Sequence, residues 1–566
     1  MNKDAIAAHA EVGLKKKGIN PLGVILLVAL WMTVAVNSVF WSTVWRAIDG
    51  FENGNPLFLI SLPLFVLAWH FIILWALCWG RLLRPVLVTL ILVASAASYF
   101  ISRYGIVIDA SMLTNVIQTD PAEARDLLSP GLLFWLLLTG VLPALVVCRL
   151  PLARPRWRRQ AAWRLGSLAL VLAMVGVIVA TQYQSYASLL RNNREVRLIL
   201  VPSNVLGAVH SYAKHTFDKP EAFVQVGLDA RQRVEAGAGG RPKLLVLVVG
   251  ETARAMNFSL NGYERATNPE LARRQVLSFR DVSSCGTATA ISVPCMFQDL
   301  GRQQWKSQFA DHREGLLDVL QRAGVSVLWR DNNSGCKGAC DRVPSEDLSH
   351  ADVAQVCNKG ECFDEVLLSG LQGYLDQRND TTVVVLHMKG SHGPAYYKRY
   401  PAAFERFTPV CKDNQLDQCE EQTIRNAYDN SVLYSDHVLG QVIDLLKGNA
   451  ARFDSAMLYV SDHGESLGEK GVFLHGLPYA MAPKEQTHVP MVLWMSPQLA
   501  ARRGLSLTCM EQRTGAELSH DNLFHSVLGL MDVQTSVYRA QLDMFQPCQA
   551  GHLAGELPAV GQVAEQ

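Results

Sequence analysis

Four side chains at the ends of apolar runs carry metal-ligand chemistry. Glu251 closes the run Lys243-Leu-Leu-Val-Leu-Val-Val-Gly-Glu251, and Asp462 and His463 close Met457-Leu-Tyr-Val-Ser-Asp-His463. Between them in sequence, Ser284-Cys-Gly-Thr-Ala-Thr289-Ala-Ile-Ser-Val-Pro-Cys295 offers a hydroxyl. Two carboxylates, an imidazole and a threonine oxygen form the donor set of a tetrahedral zinc site. A hydroxyl ligand is also a latent nucleophile, because a bound cation lowers its pKa and polarises a phosphoryl oxygen together. Thr289 falls at a predicted strand-to-helix junction, where unpaired amides and a partial positive charge suit an anionic phosphoryl group. Taken alone, a threonine in so Thr/Ala/Ser-rich a stretch reads as a helix cap, and Thr287 is the nearest rival nucleophile.

These residues need elements that hold them together. From Lys243 onward, short Val/Leu runs alternate with amphipathic segments. The clearest strands cover 244–249, 326–329, 382–387, 456–460 and 489–495. Continuous apolar runs predict strands covered on both faces, hence an α/β domain with a mainly parallel sheet. Ligands gather beyond the carboxyl ends of such strands. Glu251, Asp462 and His463 fall there, and His392 lies just past a fourth strand. A histidine beside glycine in a loop binds zinc or protonates a leaving alkoxide; a plain surface histidine is the other reading.

The first third of the 566-residue chain is different. Five runs, 21–41, 56–79, 82–101, 131–150 and 163–183, are long and apolar enough for helices that cross a bilayer. Basic clusters at Lys15–Lys17, Arg81 and Arg84, and Arg149 through Arg164 alternate consistently between them. That places the N-terminus in the cytoplasm and everything after Tyr183 outside. A net charge of +1 gives no electrostatic case for nucleic acid. Of 12 cysteines, ten lie in the exported part. They fall in near-neighbour pairs, 285/295, 336/340, 357/362 and 411/419, with 509 and 548 left over. An even count in an oxidising compartment predicts disulfides; thiolate zinc ligation around Cys336 and Cys340 is the competing reading. The expected organisation is a transmembrane domain of five helices over 1–184 and an interfacial linker over 185–240. A catalytic domain over 241–550 and a disordered tail over 551–566 follow. The Gly-rich stretch 236–242 reads as a hinge, and 202–210 as either an interfacial amphipathic helix or a spacer.

Gly250-Glu-Thr-Ala-Arg254, Asn257-Phe-Ser-Leu-Asn-Gly-Tyr263, the stretch 284–295, Gly390-Ser-His-Gly-Pro394 and Ser461-Asp-His-Gly-Glu-Ser466 occur in that order. Together they closely resemble the lipid A phosphoethanolamine transferases, the family that includes the mobile colistin-resistance enzymes. In the membrane half, Leu113-Thr-Asn115-Val-Ile-Gln-Thr119-Asp-Pro-Ala-Glu123 is similar to that family's loop between its third and fourth spans. The resemblance implies a five-span anchor in the bacterial inner membrane bearing an alkaline-phosphatase-like periplasmic domain. By position, Glu251, Thr289, Asp462 and His463 match the family's zinc ligands, with Thr289 its nucleophile. His392 and His475 match histidines associated with a second metal or with the substrate. Ser334 and Lys337 match residues that hold phosphoethanolamine, and Asn115, Thr119 and Glu123 match a polar cluster reaching it from the membrane side. One zinc is expected to bind firmly, with a second during turnover left open.

The implied reaction transfers phosphoethanolamine from phosphatidylethanolamine to a lipid A phosphate through a threonine adduct, with His392 protonating the leaving oxygen. The product is less anionic and attracts cationic polymyxins less. A membrane-anchored zinc phosphodiesterase, a transferase acting on lipopolysaccharide core sugars, and a non-catalytic lipid-binding module are the alternatives. Sulfatases of the same superfamily need a C/S-x-P-x-R arrangement; none surrounds Thr289 or Cys295, which disfavours sulfate chemistry.

Overall fold

Leu244, Val246 and Val248 face one apolar core while Leu245, Leu247 and Val249 face another. The strand that carries them is therefore buried on both sides. The computed structural model describes residues 18–48, 56–118, 121–153, 156–193, 195–217, 222–233, 240–358 and 361–550. Its central sheet has seven strands: β1 (Lys243–Gly250), β2 (Leu277–Phe279), β3 (Ser326–Asp331), β4 (Ser345–Asp347), β5 (Thr382–His387), β6 (Asp454–Ser461) and β7 (Met491–Met495). The order is β2-β7-β6-β1-β5-β3-β4. Pairing is parallel from β6 through β4, and β7 runs antiparallel to both neighbours. Val383 and Val385 share a core with Leu245, whereas Val384 and Leu386 share the other with Leu244. The period-two alternation thus fills two cores from strands that read as uniformly apolar.

Two strands escape the sequence reading. β2 is three residues long, and β4 is the exposed, acidic edge Ser345-Glu-Asp347. A charged side chain on an edge strand discourages pairing with another chain. All five cysteine pairs expected from spacing are disulfides, which excludes thiolate ligation at Cys336 and Cys340.

Among the described residues of the N-terminal part, four helical segments are long and apolar enough to cross a membrane: Pro56–Leu77 (α3), Gly80–Tyr104 (its regular part α4, Leu83–Tyr104), Pro130–Arg149 (α7) and Trp157–Asn192 (α8). The first expected span is instead a bent pair, α1 (Pro21–Ala35) and α2 (Ser38–Ile48), meeting at 60°. Asn37 lies in the bend. Its amide donates to Met32 O and Val201 O at 2.8 Å each, and its Oδ1 accepts from Val201 N at 2.9 Å. A side chain inserted into the backbone ladder is a recognised cause of a sharp bend. Thr33 Oγ1 and His70 Nδ1 lie 2.9 Å apart beside it, and His70 Nε2 meets Val201 O at 3.0 Å. α8 continues to Asn192, past residue 185 where the linker was expected to begin.

The chain forms two compact units. One holds the apolar helices, within Met1–Arg103 and Leu128–Val209; the other comprises Tyr104–Leu127 and His210–Gln566. The stretch 104–127, between the third and fourth apolar runs, thus packs with the α/β unit. It forms α5 (Ala110–Gln118) and α6 (Pro121–Asp126). Residues 236–239 of the expected hinge and the tail 551–566 lie outside the described residues.

Candidate active site and metal centre

β1 and β6 are parallel neighbours with Gly250 opposite Ser461, so both strands end together. The next residues, Glu251 and Asp462, are thereby brought side by side, and Asp462 N donates to Gly250 O at 2.9 Å. Thr289 opens the helix α9 (Thr289–Met296), whose N-cap Ala288 supplies no side-chain cap. The Cys285–Cys295 disulfide brackets the turn that enters it. Thr289 Oγ1 lies 3.1 and 3.2 Å from the Glu251 carboxylate oxygens and 3.3 Å from His463 Nε2. His463 Nε2 is 3.3 Å from Glu251 Oε1 and from Asp462 Oδ2. Glu251, Asp462 and His463 are fully buried.

This set fits a divalent ion. Bonds of about 2.0 Å in a tetrahedron put ligand atoms about 3.3 Å apart, which the five separations match. Asp462 Oδ1 is taken by the amides of Thr252 and His463, whereas its buried Oδ2 has no hydrogen-bond partner. His463 Nδ1–H donates to Gly464 O at 2.9 Å, which leaves Nε2 bare toward the cluster. Such fixing of the tautomer from behind accompanies metal-binding histidines. Electrostatics points the same way. Burial, then the charge of Glu251, pushes the Asp462 carboxyl up to about 7. Burial alone would raise Glu251 too, but the hydrogen bond and charge of His463 hold it well below the carboxylate range. Against burial, the two carboxylates lift His463 to about 10. A dry site with two carboxylates and one imidazole demands positive charge, and a metal supplies it better than shared protons.

The surrounding loops are held close. Gly390 has φ +53°, and a Cβ there would sit 2.6 Å from Glu251 O, so glycine permits the approach of the loop bearing His392. Ser391 N donates to Glu251 O at 3.0 Å. The His475 ring lies tilted against that of His463 at 4.4 Å and edge-on to that of His392 at 5.4 Å, centroid to centroid. Glu465, fully buried, meets His475 Nδ1 through Oε2 at 3.4 Å; burial pushes its carboxyl up to about 8.

Ser334 follows Asn333, whose amide donates to Glu251 Oε2 at 2.7 Å. Lys337 has φ +52° inside the Cys336–Cys340 bridge. Its Nζ donates to Ser334 O at 2.7 Å and to Gln118 O, at the end of α5, at 3.4 Å. α5 packs against α9, and a Cβ on Gly476 would come within 2.8 Å of Met112. Half-buried Asn115 therefore sits on a helix that touches both α9 and the His475 loop. Thr119 lies outside the described residues; Glu123 falls in the first turn of α6, its side chain outside the description.

The structure thus gathers Glu251, Thr289, Asp462, His463, His392 and His475, with Ser334 and Lys337 one short loop away. Sequence reasoning missed Asn333, Glu465 and His520. The first two had a signal, since each is a polar neighbour of a residue already singled out. His520 had none: its Nδ1 accepts from Cys285 N at 3.0 Å and its Nε2–H donates to Ser461 O at 2.9 Å.

Comparison with known proteins agrees with this architecture. The family described as "Phosphoethanolamine transferase EptA/EptB" matches residues 66–217, and the Sulfatase family matches residues 243–533. Phosphoethanolamine transferase EptA of Escherichia coli K12 is 42% identical over 537 residues, covering 94% of this chain and 98% of that one. Phosphatidylethanolamine transferase Mcr-1 of Escherichia coli is 38% identical, covering 92% and 96%. The integral membrane protein lipooligosaccharide phosphoethanolamine transferase A of Neisseria meningitidis superposes with a TM-score of 0.89 at 38% identity, covering 93% of this chain and 98% of that one.

Proposed function

The chain belongs to the phosphoethanolamine transferase family of integral membrane enzymes, and from that premise we propose that it moves phosphoethanolamine from phosphatidylethanolamine to a lipid A phosphate through a covalent adduct on Thr289. The observation that carries this reading is Thr289 Oγ1, set at a helix N-terminus within 3.3 Å of both Glu251 and His463. Glu251, Asp462, His463 and Thr289 would hold zinc, which when bound supplies the positive charge that keeps the Thr289 hydroxyl deprotonated and offsets charge on the phosphoryl oxygens.

Thr289 Oγ1 attacks the donor phosphorus. The Oγ1–P bond forms as the P–O bond to the glyceryl carbon skeleton breaks, and the leaving oxygen takes a proton from His392, releasing diacylglycerol. An oxygen of the lipid A phosphate then attacks the same phosphorus. A P–O–P link forms, the Thr289 bond breaks, and His392 regains its proton from water. His475 and Glu465 line the His392 side of the cluster. Ser334 and Lys337 hold the transferred group, and Asn115, Thr119 and Glu123 complete its polar cradle from the membrane side. Two lipid substrates account for a catalytic unit joined to apolar helices, anchored in the bacterial inner membrane with the catalytic unit periplasmic. A phosphate monoester carries about −1.5 to −2 at neutral pH. The product diphosphate with its ammonium carries about −1, so lipid A loses part of its attraction for cationic polymyxins.

Peptide mass spectrometry tests this on full-length protein loaded with zinc and given phosphatidylethanolamine alone. A phosphoethanolamine adduct on the peptide holding Thr289, discharged by lipid A and absent in Thr289→Ala with metal retained, is expected. Diacylglycerol release from Thr289→Ala at the wild-type rate would overturn the nucleophile assignment.

A further inference from the structure

The loop that carries His392 is gripped from two sides. On one side Asp364, buried among strand ends, accepts from the amides of Lys389 and Gly390 at 2.7 and 2.9 Å. On the other, Arg399 Nε donates to the carbonyl of His392 itself at 2.8 Å. Arg399 is a buried cation, its side chain 3% exposed, so its charge needs a partner. That partner is Asp126, 3.4 Å from Nη2, itself 7% exposed and also ion-paired to Lys398.

Asp126 ends α6, in the stretch between the third and fourth apolar helices. The same stretch is fastened to the α/β unit at further points. Asn414 Nδ2 donates to Asp126 O at 2.7 Å, and Tyr104 OH donates to Asn414 O at 3.4 Å. Asp126 touches none of the four ligands of the metal cluster. Its carboxylate reaches the chemistry through one guanidinium and one backbone carbonyl.

We propose that Asp126 is a positioning residue: through Arg399 it fixes His392 for proton delivery to the leaving oxygen, so that docking of the segment between two membrane helices completes the active site. The inference rests on His392 being the general acid. A planar guanidinium suits this role, because its fork holds a carboxylate and a carbonyl in one rigid plane, which a lysine cannot do. Loss of the grip leaves the metal cluster assembled and the acid misplaced. The bond between phosphorus and the glyceryl oxygen then breaks without a proton ready for the departing alkoxide, while a departing oxygen that is already stable needs none.

The test uses full-length protein in detergent, zinc-loaded, with two donors: phosphatidylethanolamine, whose alkoxide needs protonation, and p-nitrophenyl phosphoethanolamine, whose phenolate does not. Asp126→Asn and, as a second variant that keeps the charge, Arg399→Lys are expected to retain metal. Each should lower kcat on phosphatidylethanolamine by about ten- to a hundredfold, part of what a general acid contributes, and change the p-nitrophenyl rate less than about threefold. Asp126→Glu should recover most of the loss. In a His392→Ala background, Asp126→Asn should cost nothing further. Equal losses on both donors, or full additivity with His392→Ala, would overturn the proposal. If His392→Ala itself slows both donors equally, the general-acid reading fails. If His392→Ala discriminates between donors and Asp126→Asn does not, the acid stands and the link from Asp126 falls.

Discussion

Acid should loosen the site through His520. Its neutral imidazole ties the loop before Thr289 to the end of β6, one residue before Asp462, accepting from Cys285 N and donating to Ser461 O. Burial drives its pKa from 6.5 down to about 4; the Ser461 hydrogen bond opposes this, and the charge of His463 acts with it. In the unfolded chain the imidazole takes its proton near pH 6.5, in the folded protein only near pH 4. Between those values the unfolded state binds more protons, so the stability conferred by neutral His520 is present above pH 6.5 and is lost as pH falls toward 4. At about 1.4 kcal/mol per unit, the difference amounts to about 3 kcal/mol. For a unit of this size that corresponds to about 4 °C in unfolding temperature. The comparison is thermal unfolding of full-length wild type and His520→Gln at pH 7.5 and pH 4.5. Glutamine keeps one acceptor and one donor but does not titrate in this range. Protons compete for the metal ligands in both proteins, so the wild type's extra loss isolates His520. Equal losses in the two proteins would refute the argument from a buried neutral imidazole.

Asn333→Ala removes the amide that holds Glu251 Oε2. It should weaken zinc affinity about 10- to 100-fold in a chelator competition; unchanged affinity would show that Glu251 is held without it. Replacing Cys285 and Cys295 together by serine frees the turn that delivers Thr289. The expected cost is about 2 kcal/mol or more in denaturant unfolding, with a larger proportional loss of transfer than in the corresponding Cys509/Cys548 pair. Equal losses from the two pairs would mean that the bridge serves only stability.

The grouping of Glu251, Asp462 and His463 was legible because they follow apolar runs, and parallel strands that start in register also end in register. Glu251 and Asp462 needed nothing more than that to meet. β7 was read as a strand but its direction was not, since a Val/Leu run looks the same either way along the chain. The bend in the first span had a written sign, Asn37 in an otherwise apolar run, yet the partner that satisfies it, Val201, lies far along the sequence. Asp126 was the least legible. An aspartate ending a short helix after several polar residues looks solvated, and its burial depends on Lys398 and Arg399 folding over it. Tertiary partners with no fixed spacing leave no periodic trace.

The bent first span also sets a mechanical scale. α1 has 15 residues and rises about 22 Å at 1.5 Å per residue, short of a hydrocarbon core of about 30 Å. With α1 along the bilayer normal, the 11 residues of α2 inclined at 60° add about 8 Å. The pair taken as one crossing therefore just matches the bilayer and carries no spare length. A thicker bilayer is met by straightening the bend, about 4° for each added ångström on this geometry, and a thinner one by folding it further. Because Asn37 in that bend is hydrogen-bonded to Val201, any such adjustment pulls on the chain that leaves the last apolar helix. Hydrophobic thickness, a property of the lipid alone, is thereby converted into a displacement of protein backbone.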